Sequence, residues 1–284
     1  MKARNTLAAL AVIALALTAC APADENASPS PSDTSCAVEN LAVTTAGKIT
    51  IGTDSPAYSP WYVDDDPTNG EGFESAVAYA VAEQMGFAAS DVVWVVSPFN
   101  SIIAPGAKDF DFAINQVSIT DERKNAVDFS TGYYNVNQAL ITYAGSPIDG
   151  ATTLAELKDA KLGAQVGTTS YNTIVDVIQP TQDVAAFNDN DVAVKSLNNE
   201  QIDGLVVDLP TAFFMTAVQL DNGVIVGQFP TDGAGEQFGL VLDKDSALTT
   251  CVSSAVDALW DAGSLDDIAQ QWLADVTNAP FIRE

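Results

Sequence analysis

From Lys48 onward the chain alternates short apolar runs with stretches of helical periodicity, and the alternation restarts near residue 140. This rhythm constrains the fold more than any other feature. Residues 48–52 (KITIG), 92–96 (VVWVV), 110–114 (FDFAI) and 139–142 (ALIT) read as strands, the second bounded by Asp91 and Ser97-Pro98. Between the first two, Phe73, Val77, Ala80, Val81 and Met85 fall on one helical face, and Gly86 stops the pattern. After the turn at Gly145-Ser146-Pro147, Thr153 precedes Glu156 by three residues, the spacing of a capping box. A strand over 162–166 follows, then a helix over 168–178 stopped by Pro180. Strands at 204–207, 224–226 and 238–242 and helices over 247–262 and 265–276 complete the pattern. Strands alternating with helices predict an α/β fold with mostly parallel sheets, and the restart predicts two lobes.

The N-terminus reads as an address. Lys2 and Arg4 precede the apolar run 7–17, which is too short to span about 30 Å of hydrocarbon. Leu17-Thr18-Ala19-Cys20 resembles the lipobox of bacterial lipoproteins, in which the cysteine is acylated. Residues 1–19 are therefore expected to be a lipoprotein signal peptide, and 20–46 a lipidated flexible stalk. Its stretch 21–35 (APADENASPSPSDTS) has no large apolar residue that could offset its ordering entropy. With Cys20 assigned to lipid, Cys36 and Cys251 remain. Outside the cytoplasm an even remainder predicts a disulfide.

Composition removes whole classes of function. Acidic residues outnumber basic ones 38 to 11, a formal charge of −27, which repels phosphate backbones and anionic headgroups and argues against nucleic-acid binding. Histidine is absent, so the usual general base and the commonest zinc ligand are both missing, and no metal site is expected. The run Asp64-Asp65-Asp66 lacks the ligand spacing of a calcium loop and reads as a solvated turn.

Four segments carry a family likeness. The first is Gly52-Thr53-Asp54 with Tyr58-Ser59-Pro60-Trp61 and Gly72-Phe73-Glu74. Phe99-Asn100-Ser101-Ile102-Ile103 with Asp109-Phe110-Asp111 is the second. The third runs from Asn115-Gln116-Val117-Ser118-Ile119-Thr120-Asp121-Glu122-Arg123 to Val127-Asp128-Phe129-Ser130 and Tyr133-Tyr134. The last joins residues 154–158, Gln165-Val166-Gly167-Thr168-Thr169 and Ile202-Asp203-Gly204-Leu205-Val206-Val207-Asp208. In this order, over about residues 47–275, they resemble the polar amino-acid class of solute-binding proteins of ABC importers (bacterial extracellular solute-binding protein family 3).

That resemblance implies a two-lobed, type II periplasmic-binding-protein-like α/β fold with two crossovers, near 135–138 and 229–237. Lobe 1 is then 47–138 plus 229–284, and lobe 2 is 139–228. It further implies that Arg123 holds a ligand α-carboxylate, helped by Ser118 and the Thr168-Thr169 turn, and that Asp208 meets the ammonium. Chemistry agrees, because a zwitterion in a dry cleft needs a fixed cation and a fixed anion, and a guanidinium grips a carboxylate bidentately. Asp208 could equally cap the helix that begins at Pro210. Tyr58, Trp61 and Phe99 match aromatic positions around the ligand, Trp61 where Phe is more usual. Asn115 and Gln116 stand where small residues are commoner. Asp54 could meet a cationic side chain or cap the turn after the first strand.

The implied function is capture of a polar L-amino acid by an exported monomer, lipid-anchored at Cys20, and delivery to an ABC permease in the membrane. No cofactor and no catalysis are implied. The rival readings are an enzyme on the same scaffold, of the prephenate or arogenate dehydratase kind, and a sensory or adhesive surface lipoprotein.

Overall fold

A computed structural model describes residues 36–230, 235–273 and 278–284. The expected signal peptide, the lipobox Cys20 and the stalk up to residue 35 lie outside the described residues; the rest of the expected stalk, 36–46, is instead part of the first lobe, where Val38, Leu41 and Val43 pack on the core and Thr44 N–H donates to Asp111 Oδ1 at 2.6 Å. In chain order the elements are β1 (Ile49–Thr53), α1 (Phe73–Gln84), β2 (Val92–Val96), α2 (Phe99–Ile103), β3 (Phe112–Ala113) and β4 (Asp128–Val136). Next come β5 (Gln138–Tyr143), β6 (Leu162–Gln165), α3 (Thr169–Asn172), β7 (Ala185–Phe187), α4 (Asn190–Asn198), β8 (Gly204–Asp208), α5 (Leu209–Phe214) and β9 (Gly223–Gln228). The chain closes with β10 (Glu236–Leu242), α6 (Thr249–Asp261) and α7 (Ser264–Leu273).

These strands form two sheets, ordered β2-β1-β3-β10-β4 and β7-β6-β8-β5-β9. β1 lies between β2 and β3, parallel to both, and each of its residues is buried, which explains its apolar sequence. β6 pairs in parallel with β7 and β8. The strands that carry the chain between sheets run antiparallel to their neighbours: β10 beside β3 and β4, β5 beside β8 and β9. The sheets are therefore mixed rather than mostly parallel. β4 and β5 lie in different sheets and are separated by Asn137 alone, so the chain passes directly from one lobe to the other there.

Each sheet has its own core. In the first lobe Ile49, Ile51, Trp61, Tyr62, Phe73, Val77, Tyr133 and Phe238 are fully buried, with Val252, Leu259, Leu265 and Leu273 of α6 and α7 packed on them. Ile141 and Leu205 anchor one face of the second sheet, and Leu140, Leu162 and Val206 the other. Each such side chain contributes about 1.5–3 kcal/mol. The last residues return to the second lobe, contrary to the expectation that 229–284 stays in the first. Ile282 N–H donates to Gln228 O at 2.9 Å, Arg283 N–H donates to Thr152 O at 2.9 Å, and Ile282 is buried against the second core. The end of β9 and the segment before Leu154 offered unpaired backbone groups, and the tail satisfies them.

Cys36 and Cys251 are joined as a disulfide across 215 residues, tying the start of the described chain to α6. α3 continues without interruption as a π-helical turn through Ile178, where the sequence predicts one regular helix.

Candidate functional site

The loops after β1, β3, β6 and β8 converge on one cavity between the sheets, at strand C-termini where α/β folds collect ligands. Its lining brings together Asp54, Tyr58, Phe99, Asn115, Gln116, Ser118 and Arg123 from the first lobe with Thr168, Thr169 and Asp208 from the second. Arg123 is only 9% exposed. Its Nη1 donates to Ser118 O at 2.7 Å, its Nη2 crosses to Gly167 O at 2.9 Å, and the guanidinium stands 5.5 Å over the Phe99 ring. A guanidinium has more N–H donors than these two bonds use, so Arg123 keeps donors for an anion. Burial pushes its pKa down while Glu236 and Asp208 push it up. It starts so high that the group stays charged.

Asp208 ends β8 at the N-cap of α5, but its side chain makes no capping bond. Instead Oδ1 accepts from Gln138 Nε2 at 2.7 Å. Burial, then the neighbouring Glu236, pushes this carboxyl well above the usual range, against the opposing pull of Gln138 and Arg123. Asp54 lines the cavity, and its Oδ2 accepts the Phe99 N–H at the start of α2 at 3.0 Å.

Thr168 caps α3, accepting from Tyr171 N–H at 3.1 Å and donating to Gln165 O at 2.6 Å. Thr169 and Ser118 face each other across the lobes, their hydroxyl oxygens 3.3 Å apart. Trp61 departs from expectation. Its ring is fully buried, edge-on to Phe73, Tyr134 and Phe238, and it is not part of the cavity lining. The indole is wider than the phenyl usual there and fills the first-lobe core, while Nε1 donates to Thr211 Oγ1 of the second lobe at 2.9 Å. Asp65 and Asp66 serve their own loop, accepting from Ala57 and Thr68 N–H groups. Among the described residues no cluster could hold a metal ion.

Three site residues were not identified from the sequence. Glu74 is fully buried under Gln116, accepting its N–H at 2.7 Å together with its side-chain amide and the Tyr133 hydroxyl. It thereby holds Gln116 at the unusual φ of 48°. Burial raises Glu74 to about 7. The signal was present, since a glutamate in the apolar stretch Gly72-Phe73-Glu74 must find partners. Gln138 joins Asp208 to Glu236, donating to Glu236 Oε2 at 3.0 Å. Glu236 also accepts from Ser118 Oγ, and from Thr169 Oγ1 at 2.6 Å. Nothing local marked Gln138 or Glu236.

The chain is similar in sequence and fold to known proteins. Residues 49–275 match the family described as "Bacterial extracellular solute-binding proteins, family 3". A "Probable histidine-binding protein" of Campylobacter jejuni is 30% identical over 199 residues, 69% of this chain and 73% of that protein. Among solved structures, an ancestral arginine-binding protein bound to glutamine superposes with a TM-score of 0.67 at 27% identity, over 81% of this chain and 100% of that one. An ancestral amino acid-binding protein described as a precursor of cyclohexadienyl dehydratase matches with a TM-score of 0.64 at 26% identity, over 80% and 95%. The two-lobed α/β fold is that of the type II periplasmic amino-acid-binding proteins.

Proposed function

We propose a function on one established premise: the chain belongs to the bacterial extracellular solute-binding proteins, family 3. Its role is to capture a polar L-amino acid between the lobes and deliver it, as a monomer lipid-anchored at Cys20 outside the cell, to the permease of an ABC importer. One observation carries this reading. A buried guanidinium with spare donors and a half-buried carboxyl group, Arg123 and Asp208, face the same cavity from opposite lobes. That pair complements the carboxylate and ammonium of an α-amino acid, and binding both ends favours the closed state. Two acids, Asp54 and Asp208, line the cavity against one base, so a side chain carrying positive charge fits better than an acidic one. Relatives named for histidine and arginine binding support that preference.

The test is a thermal-shift screen of the protein against the twenty amino acids, with prephenate as the enzyme-substrate control. A ligand at a thousand times its Kd stabilises by about 4 kcal/mol, on the order of 10 °C for a chain of this size. Such a shift with one or a few amino acids, lost in Arg123→Ala and Asp208→Ala variants that still fold, supports the reading. A shift with prephenate alone would move the weight to the dehydratase chemistry, and no shift at all would reject amino-acid capture.

A further inference from the structure

We propose that Glu236 is a positioning residue for ligand binding: it turns the Ser118 and Thr169 hydroxyl protons away from the cavity and latches the two lobes together. The inference rests on the amino-acid reading for its ligand and goes beyond it in assigning Glu236 a role.

Ser118 and Thr169 line the cavity, one on each lobe, whereas Glu236 is not in the lining. Its Oε1 accepts both hydroxyls, Thr169 Oγ1 at 2.6 Å and Ser118 Oγ in a short contact. Each hydroxyl has a single proton, and an ionised carboxylate only accepts. Both protons are thus committed to Glu236, and the hydroxyls have only lone pairs left for a ligand. A ligand carboxylate must then be held by Arg123 and by main-chain N–H groups, and the hydroxyl oxygens are left to accept from the ammonium. This reverses the role that likeness alone suggests for the Ser118 hydroxyl.

The orientation is itself supported. Ser170 Oγ donates to Gln138 Oε1 at 2.6 Å, which turns Gln138 Nε2 toward Asp208 and toward Glu236 Oε2. Glu236 is the first residue of β10, on the second crossover, and it bonds Ser118 in one lobe and Thr169 and Gln138 in the other. Of the other acids, Glu74 is held by Tyr133 and Gln116 and Asp54 by Ser55 and Phe99, all of the first lobe, while Asp208 bonds Gln138 of its own sheet.

The experiment is calorimetric titration of wild type, Glu236→Ala, Thr169→Val and the double variant, with L-arginine, L-histidine and L-glutamine as probes. Melting curves first establish that each variant folds. Glu236 acting through the Thr169 hydroxyl predicts that each single change weakens binding about tenfold and that the double variant is no weaker than the worse single one. Glu236→Gln keeps an acceptor for both hydroxyls and should recover most of the lost affinity. Unchanged or tighter binding by Glu236→Ala, multiplicative losses in the double variant, or a Glu236→Gln as weak as the alanine would each overturn the proposal. Small-angle scattering without added ligand separates this from failure of the amino-acid reading. If none of the probes binds wild type, a larger radius of gyration for Glu236→Ala than for wild type still supports the latch, and equal radii overturn it.

Discussion

Asp208 and Glu236 share one amide: Gln138 Nε2 donates to Oδ1 of the first at 2.7 Å and to Oε2 of the second at 3.0 Å. Burial penalises charge on Asp208, and repulsion from the neighbouring Glu236 adds to it, which is why the Asp208 carboxyl is pushed upward. An ammonium brought to this pair relieves the repulsion.

Ligand binding should therefore release protons. An ammonium favours ionised Asp208 and lowers its raised pKa, so affinity falls as pH drops through the value in the free protein. Titration in two buffers of different ionisation enthalpy measures the release directly. Asp208→Asn should bind more weakly and show a flatter pH dependence. A wild-type affinity independent of pH below neutrality would contradict the role given to Asp208.

Glu74 makes stability depend on pH in the opposite sense from a salt-bridged acid. Its folded pKa, about 7, lies above the ordinary 4.5, so the folded state holds a proton that the unfolded state loses first. Stability from this group is fully present below 4.5 and declines as pH rises through 7, by on the order of 3 kcal/mol. Denaturation midpoints of wild type and Glu74→Gln between pH 4.5 and 8 should diverge in slope, with the wild type the steeper. Parallel curves would show that Glu74 is already ionised in the fold.

Reduction of the Cys36–Cys251 bond should destabilise the protein without remodelling its site. The bond closes a span of 215 residues, and removing a native disulfide costs about 2–5 kcal/mol. A thermal scan with and without reductant, with thiol titration to verify cleavage, should show a fall in Tm of roughly 5–15 °C. An unchanged Tm after complete reduction would mean that packing alone holds residue 36 against α6.

Gly72→Ala should be among the most damaging single changes. Gly72 has φ +97°, and a Cβ there would lie 2.5 Å from Trp61 O and 2.6 Å from Tyr62 Cα. Both neighbours are backbone in the first-lobe core and cannot step aside. A loss of about 3 kcal/mol or more in chemical denaturation is expected. Gly106→Ala is the control: its φ is also positive, at +115°, but no atom lies within 4 Å, so it should cost less.

Much of this protein is legible along the chain. Apolar runs and periodicity locate β1, β2, α1 and the second-lobe strands β5, β6, β8 and β9, because burial is a demand on the residues that form each element, whereas the short, half-exposed β7 carries no such signal. Arg123, Ser118, Thr169 and Asp208 can be picked out because each sits in a short segment whose likeness to a family spans the turn around it. Trp61 shows where this fails, since an aromatic at that position can face a ligand or a core, and only the packing of Phe73, Tyr134 and Phe238 around it decides which.

What tertiary structure alone decided is the set of meetings between distant segments. Glu236 reaches Ser118 across 118 positions, and Gln138 reaches Asp208 across 70. The return of Ile282 to the second lobe is a meeting of the same kind. A helix or strand is favoured by neighbours in sequence, so its signal is written there. A hydrogen bond between residues on two crossovers depends on the path of every element between them, and no local pattern of side chains encodes it.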